Sequence, residues 1–333
     1  MKVMIITPNK IGHIGSGGDA SRTLLVRHLG KYGCDVGCTT RYTVDNDNWD
    51  VIHGYGNEML PWFHKVTEFP TILTLNGIRY SPSMSYYMLD KYFSPRFYRN
   101  RFIMKYANNI GMFTTLCQFY KESWVRDGIA EDKITVIPNM IDPDFNIEKK
   151  ERTDEIVRLL FVGEKSHWRK LDDLLYALKH SKYDNDVSLT IVGRGWNDVV
   201  SVHQKHIHKM KIDYIPWINH NHMPFIYASH DILVQPYLFP VPVGRALLEA
   251  MQCGICCITT GNEYYSDILR HMKDGILIDE CSADSLSEAL TAVIEDASLR
   301  QKLGESAKKR VREICSPEVI VPQYLKIYGG VEK

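Results

Sequence analysis

Three stretches of the chain place residues where they could hold an anion. The first, Gly12-His13-Ile14-Gly15-Ser16-Gly17-Gly18-Asp19, sets four glycines within seven residues just after an apolar run. Glycine permits positive φ and lets backbone approach a ligand closely. A helix that follows such a loop turns its unpaired N–H groups toward the same place. A plain strand-to-helix connection is the other reading of these residues. The second stretch is Gly163-Glu164-Lys165-Ser166-His167-Trp168-Arg169-Lys170. Arg169 and Lys170 supply fixed positive charge, and Arg offers a bidentate fork suited to phosphate; a solvated basic helix start would look the same. The third is Pro236–Thr260, PYLFPVPVGRALLEAMQCGICCITT. Here a Gly-led loop opens a short apolar helix that carries one acid, Glu249, and a Cys-Gly stop precedes a β-rich run. Gly244 thus stands at a helix N-terminus, a natural anion site, and Arg245 is a cation that opposes the helix dipole unless something nearby needs it.

These loops hang on a regular framework. Apolar, β-branched runs recur at Val3–Thr7, Val51–Ile52, Thr71–Leu75, Met112–Thr115 and Ile134–Ile137. They resume at Arg158–Val162, Ser188–Val192, Ile212–Ile215, Ile232–Val234, Ile255–Thr259 and Gly275–Ile278. Helical patterns lie between them. Leu286, Ala289, Leu290, Val293 and Ile294 repeat at i, i+3, i+4, i+7, i+8 behind polar starters Ser282 and Asp284. Strands alternating with helices mean βαβ units and parallel sheets covered on both faces. The charged run Ile147–Glu155 lacks an apolar face and reads as a linker, following a strand that ends in the turn pair Pro138-Asn139. With 333 residues the chain exceeds one compact core. The expected class is α/β, two Rossmann-like domains facing a central cleft: residues 1–147, residues 156–315, and a C-terminal helix over 316–333 packing back toward the first domain.

Lys and Arg (40) balance Asp and Glu (40), which argues against a nucleic-acid partner. Cys253, Cys256 and Cys257 fall in or beside an apolar run, where cysteine acts as a small hydrophobe in a reducing compartment. The N-terminus reads as a strand, no run of 18 apolar residues exists, and a cytoplasmic place is expected. No P-loop, Gly-x-Ser-x-Gly or dinucleotide fingerprint occurs, which removes the Rossmann oxidoreductase reading.

Taken in order, these motifs resemble the GT-B fold glycosyltransferases of the large retaining group often called family 4. Pro236–Thr260 is similar to that family's donor-binding signature, and Val136-Ile137-Pro138-Asn139-Met140-Ile141-Asp142 to its end-of-first-domain run. Leu159–Gly163 looks like the first strand of its second domain and Leu189–Gly195 like the second strand. Met223–Ala228 looks like the helix before the signature. The resemblance implies donor-phosphate contacts at Gly15, Gly17, Gly18, Gly163 and Gly193, and at Val243, Gly244 and Arg245. Base recognition would fall near Gly193–Gly195 and Trp217–Ile218, and ribose recognition at Glu249. Arg169, Lys170 and Glu249 would carry catalysis, with no cofactor and no metal required. The donor would be a UDP-, GDP- or ADP-sugar and the acceptor a hydroxyl of a glycan, lipid-linked compound or small molecule.

Three departures attend the resemblance. Val241 stands where the family has a Glu, Glu164 where it has an Arg, and Asn76 where it often has a His; Arg169 takes the place of a Lys. An Arg245 that offsets the charge lost at Glu164 and an Arg245 that faces solvent both fit. At Val241 the readings are a sugar gripped by backbone groups, substitution by a nearby acid such as Glu263, or poor turnover. A catalytically impaired GT-B subunit that binds sugar nucleotides or scaffolds is the alternative function. Segment 86–106 is aromatic and basic, so a peripheral membrane contact and a helix packing its aromatics on the first domain both fit it. Asp45-Asn46-Asp47 and Asp184-Asn185-Asp186 satisfy D-x-D only within turn-like polar runs. His203, His206, His208, His220 and His222 lack the neighbours of a zinc site.

Overall fold

The computed structural model describes residues 1–7, 17–40, 48–56, 69–75, 105–145, 147, 154–183, 186–204, 207, 210–238, 244–261, 268–278 and 282–331. The chain divides into two compact units, Met1–Met140 with Pro317–Lys333, and Ile141–Ser316. Ile141 and Phe145 are buried in the core of the second unit, and Ile141 N–H donates to Cys315 O (2.9 Å). The division therefore falls ahead of the charged run that begins at Ile147.

In the first unit the strands are β1 (Lys2–Ile6), β2 (Asp35–Thr39), β3 (Val51–Tyr55), β4 (Thr71–Leu75), β5 (Met112–Thr115) and β6 (Ile134–Val136). They form one parallel sheet in the order β2-β1-β3-β4-β5-β6. Side chains alternate across it. Val3 and Ile5 join one core with helix α1 (Gly17–Lys31) and the C-terminal helix Pro317–Gly330, while Met4 and Ile6 join the other with Trp124 of helix α2 (Gln118–Arg126). Burial on both faces explains why β1, β4 and β5 read as apolar runs.

A buried polar set ties the C-terminal helix into this unit. His53 hydrogen-bonds with the Tyr328 hydroxyl (2.7 Å) and with Thr74 Oγ1 (2.6 Å), and Thr74 Oγ1 with Thr114 Oγ1 (2.6 Å). The His53 ring stacks on Tyr55 at 4.4 Å. Burial lowers the His53 pKa to about 3, so the ring is neutral.

The second unit holds β7 (Val157–Val162), β8 (Val187–Val192), β9 (Lys211–Ile215), β10 (Ile232–Gln235), β11 (Cys256–Thr260) and β12 (Ile276–Ile278). They are parallel, in the order β12-β11-β10-β7-β8-β9. Leu159, Phe161, Ile232 and Val234 face one core, where α3 (Leu171–Lys179), α4 (Asn197–Gln204) and α7 (Ala283–Ile294) pack. Leu160, Leu233 and Cys257 face the other, with α5 (Met223–Ala228), α6 (Arg245–Gln252) and α8 (Ala297–Cys315). Helix α7 starts in a capping box between Ser282 and Ser285, as its polar starters predict. Cys253 and Cys256 stand at C-x-x-C spacing, and both are buried in the apolar interior. No described helix is long and apolar enough to cross a membrane.

Candidate functional site

The strand order of the second unit reverses at β7, which has β8 on one side and β10 on the other. In open parallel sheets, ligands bind beyond the carboxyl ends of the strands at such a switch point. Two groups of polar side chains gather at this end of the sheet.

The first group follows β7 and β10. Gly163 leaves β7 at φ +146 and donates to Val192 O (2.8 Å), and Gly193 leaves β8 at φ +139 and donates to Ile215 O (3.0 Å). The buried Trp196 indole donates to Gly163 O (2.7 Å) and fixes the loop. A Cβ on Gly163 would collide with the Arg169 guanidinium, so the arginine lies flat against a position that has no side chain. Arg169 Nη1 donates to Val162 O (3.2 Å), Gln235 Oε1 (3.3 Å) and the Tyr237 hydroxyl (3.4 Å). None of these acceptors is charged. Among the described residues no carboxylate pairs with Arg169, and its Nε and Nη2 edge has no acceptor there.

Neighbouring cations differ. Lys165 pairs with Asp198 (2.6 Å), Lys170 with Asp173 (2.6 Å), and Arg194 Nε with Glu164 Oε1 (2.8 Å). Glu164 is thus turned to Arg194 at the exposed surface, which answers where a carboxylate could go in a loop expected to meet phosphate.

The second group surrounds Glu249 on α6. Gly244 caps this helix in extended conformation, and Leu247 and Leu248 N–H donate to its carbonyl. Glu249 Oε1 meets His220 Nε2 (2.8 Å) and Arg245 Nε (3.1 Å), while Oε2 accepts from the Tyr227 hydroxyl (3.1 Å). Burial, reinforced by the Glu249 charge, pushes the Tyr227 pKa well up, so the hydroxyl stays a donor. Arg245 faces Glu249 one turn further along the same helix. His220, considered from sequence beside His222 for a metal, serves this carboxylate instead. Trp217 follows β9 and is 67% exposed at the same end of the sheet.

In the first unit, Gly17 and Gly18 open α1 after β1, at that sheet's own switch point. Gly15, Val241, Val243, Asn76 and Glu263 lie outside the described residues, as does most of 86–106. Three polar contributors escape a sequence reading, Gln235, Tyr237 and Tyr227, while His220 reads there only as a metal candidate. Gln235 alone left a trace, an amide ending an apolar strand.

The double parallel-sheet architecture is that of the GT-B glycosyltransferases. The chain belongs to the glycosyl transferases group 1, whose family model matches residues 142–310. It is 25% identical over 214 residues to the uncharacterized glycosyltransferase MJ1607 of Methanocaldococcus jannaschii, covering 60% of this chain and 54% of that one. It is 33% identical over 88 residues to N-acetyl-alpha-D-glucosaminyl L-malate synthase of Bacillus anthracis, covering 26% and 23%. The chain spans about half the length, or less, of these curated relatives. Sucrose-phosphate synthase from Thermosynechococcus elongatus superposes with a TM-score of 0.77 at 16% identity, covering 98% of each chain. HepE from Anabaena, solved in complex with UDP and glucose, gives 0.72 at 15% identity, covering 99% of each.

Proposed function

We propose that this glycosyltransferase moves a sugar, with retention of configuration, from a nucleotide diphosphate-sugar to a hydroxyl acceptor. One observation carries the reading. Arg169 is a half-buried cation held at the switch point by neutral acceptors only, with its remaining donor edge uncommitted among the described residues. Such a group is built to meet an anion. The departing diphosphate fits that chemistry, with Gly244 and the helix N-terminus behind it as further N–H donors. In the reaction the bond between anomeric carbon and diphosphate oxygen breaks. A bond to the acceptor oxygen forms on the same face, and the acceptor proton passes to the leaving phosphate. The solved Anabaena neighbour's UDP supports testing a uridine donor first.

Glu249 is the ribose candidate. A carboxylate offers about four lone-pair positions; His220 and Tyr227 take two by hydrogen bonds, with Arg245 beside it as an ion pair, which leaves acceptor capacity for ribose hydroxyls. That same engagement favours the second reading, a GT-B subunit that holds a sugar nucleotide without turnover. A thermal-shift panel of UDP, GDP, ADP and their sugars, followed by transfer and hydrolysis assays, separates the two. Binding with turnover is expected. Binding without either reaction leaves the non-catalytic subunit, and no binding by any of the six rejects both.

A further inference from the structure

We infer that Gln235 and Tyr237 are positioning residues whose task is to aim Arg169 while leaving its charge unspent. The inference rests on the reading of Arg169 as the cation that meets the diphosphate.

Gln235 ends β10, a strand whose four residues are all buried. A buried amide at such a place must be satisfied on both sides. Its Nε2 donates to Val162 O (2.6 Å), which forces Oε1 to face the other way, where it accepts from the Tyr237 hydroxyl (2.8 Å) and Arg169 Nη1 (3.3 Å). Reversing the amide would set a carbonyl against Val162 O and an NH2 against a guanidinium, so the network admits one orientation. The Tyr237 ring also lies 5.4 Å from Arg169 Cζ, within cation–π range.

The backbone repeats the theme. Arg169 and Tyr237 form an antiparallel bridge, Lys170 N–H donates to Pro236 O (3.1 Å), and Leu238 N–H donates to Trp168 O (2.7 Å). Tyr237 N–H is in turn anchored on Thr260 Oγ1 (3.0 Å). The loop that carries the arginine is thereby stitched to the segment that carries its clamp. A guanidinium loses less freedom on binding an anion when it is already fixed, and a neutral clamp achieves this without a competing carboxylate. The ion pairs of Lys165, Lys170 and Arg194 show the arrangement that Arg169 lacks among the described residues.

The test is UDP affinity by titration calorimetry, beside thermal melting, for wild type, Arg169→Ala, Gln235→Leu, Tyr237→Phe and each clamp variant combined with Arg169→Ala. Arg169→Ala should weaken UDP binding by about tenfold or more, the scale of lost charged hydrogen bonds. Tyr237→Phe and Gln235→Leu should each weaken it by roughly three- to tenfold, as for lost neutral ones. In the Arg169→Ala background neither should have any further effect, because each acts through the arginine. Wild-type affinity in the clamp variants, or losses that add to that of Arg169→Ala, overturns the inference. If Gln235→Leu does not fold, the Tyr237→Phe cycle alone decides. Arg169→Ala binding UDP like wild type instead rejects the donor reading itself.

Discussion

Arg245 Nε lies 3.1 Å from Glu249 Oε1 across one turn of α6, with both side chains less than a tenth exposed. An ion pair this buried stabilises little compared with an apolar pair of the same shape, but removing one partner leaves an uncompensated charge. Arg245→Met should therefore cost the second unit about 3 kcal/mol, a Tm drop of roughly 6–12 °C. The reciprocal Glu249→Gln should cost a similar amount, because it leaves the buried Arg245 cation without this anion, and the double variant should cost less than the sum of the two. Losses that simply add in the double variant, read by thermal melting, would show that the pair is not the source.

Lys170 tests how far a neighbouring charge can serve the same ligand as Arg169. Its Nζ is held by Asp173 at 2.6 Å, so an incoming phosphate must compete with a carboxylate already in place. Lys170→Ala should weaken UDP binding by less than about threefold, the range of an exposed ion pair, whereas Arg169→Ala weakens it far more. A comparable loss in both variants means that Lys170 leaves Asp173 and shares the work.

Gly163 and Gly193 both need positive φ, but an added methyl group would meet different neighbours. At Gly163 it would collide with the end of the Arg169 side chain, which can move; at Gly193 it would collide with the Gly163 carbonyl, which is fixed in the chain. Alanine at 163 should thus lose UDP affinity through a displaced guanidinium, in addition to the backbone strain any side chain meets at this φ. Alanine at 193 should show chiefly as lost stability, on the order of 1–3 kcal/mol for a strained backbone position. The ratio of the two effects in each variant, from melting and calorimetry, is the measurement. Identical profiles would falsify the distinction.

Much of this fold was legible because both faces of each sheet are covered. Thr71–Leu75 and Met112–Thr115 coincide with β4 and β5 for that reason. Strand β2 escaped because Asp35–Thr39 lies at a sheet edge, half exposed, with Asp, Gly and Thr among its five residues and no apolar run to mark it. The site divides in the same way. Gly163, Gly193 and Gly244 carry local signals, since a glycine after a strand or before a helix has a conformational meaning. Tyr227 and Gln235 meet Glu249 and Arg169 only through long-range packing of β10, α5 and α6, and spacing along the chain does not encode which buried hydroxyl meets which charge. Arg245 illustrates the limit: its type invites a phosphate, while Glu249 one turn later also faces it.

His53 links the C-terminal helix to pH. Its ring is buried between Thr74 and Tyr328, and desolvation lowers its pKa from 6.5 to about 3. The two hydroxyl partners can each donate or accept, so neither supplies a charge that would hold a proton on the ring. The folded protein therefore keeps His53 neutral where the unfolded chain protonates it. Below the ordinary histidine pKa the unfolded state binds the extra proton, and stability is lost as pH falls from about 6.5 toward about 3, at about 1.4 kcal/mol per pH unit. Above pH 6.5 the contribution is constant. Urea unfolding at pH 7 and pH 5 should thus show a loss in the wild type larger by about 2 kcal/mol than the loss in His53→Gln, which keeps polar contacts but cannot titrate. His53→Gln also removes part of the bond to Tyr328, so its absolute stability at pH 7 should be lower, and only the pH difference reads the proton. Parallel pH dependence in the two proteins would mean that the ring is protonated in the folded state and that the Tyr328 contact holds an imidazolium.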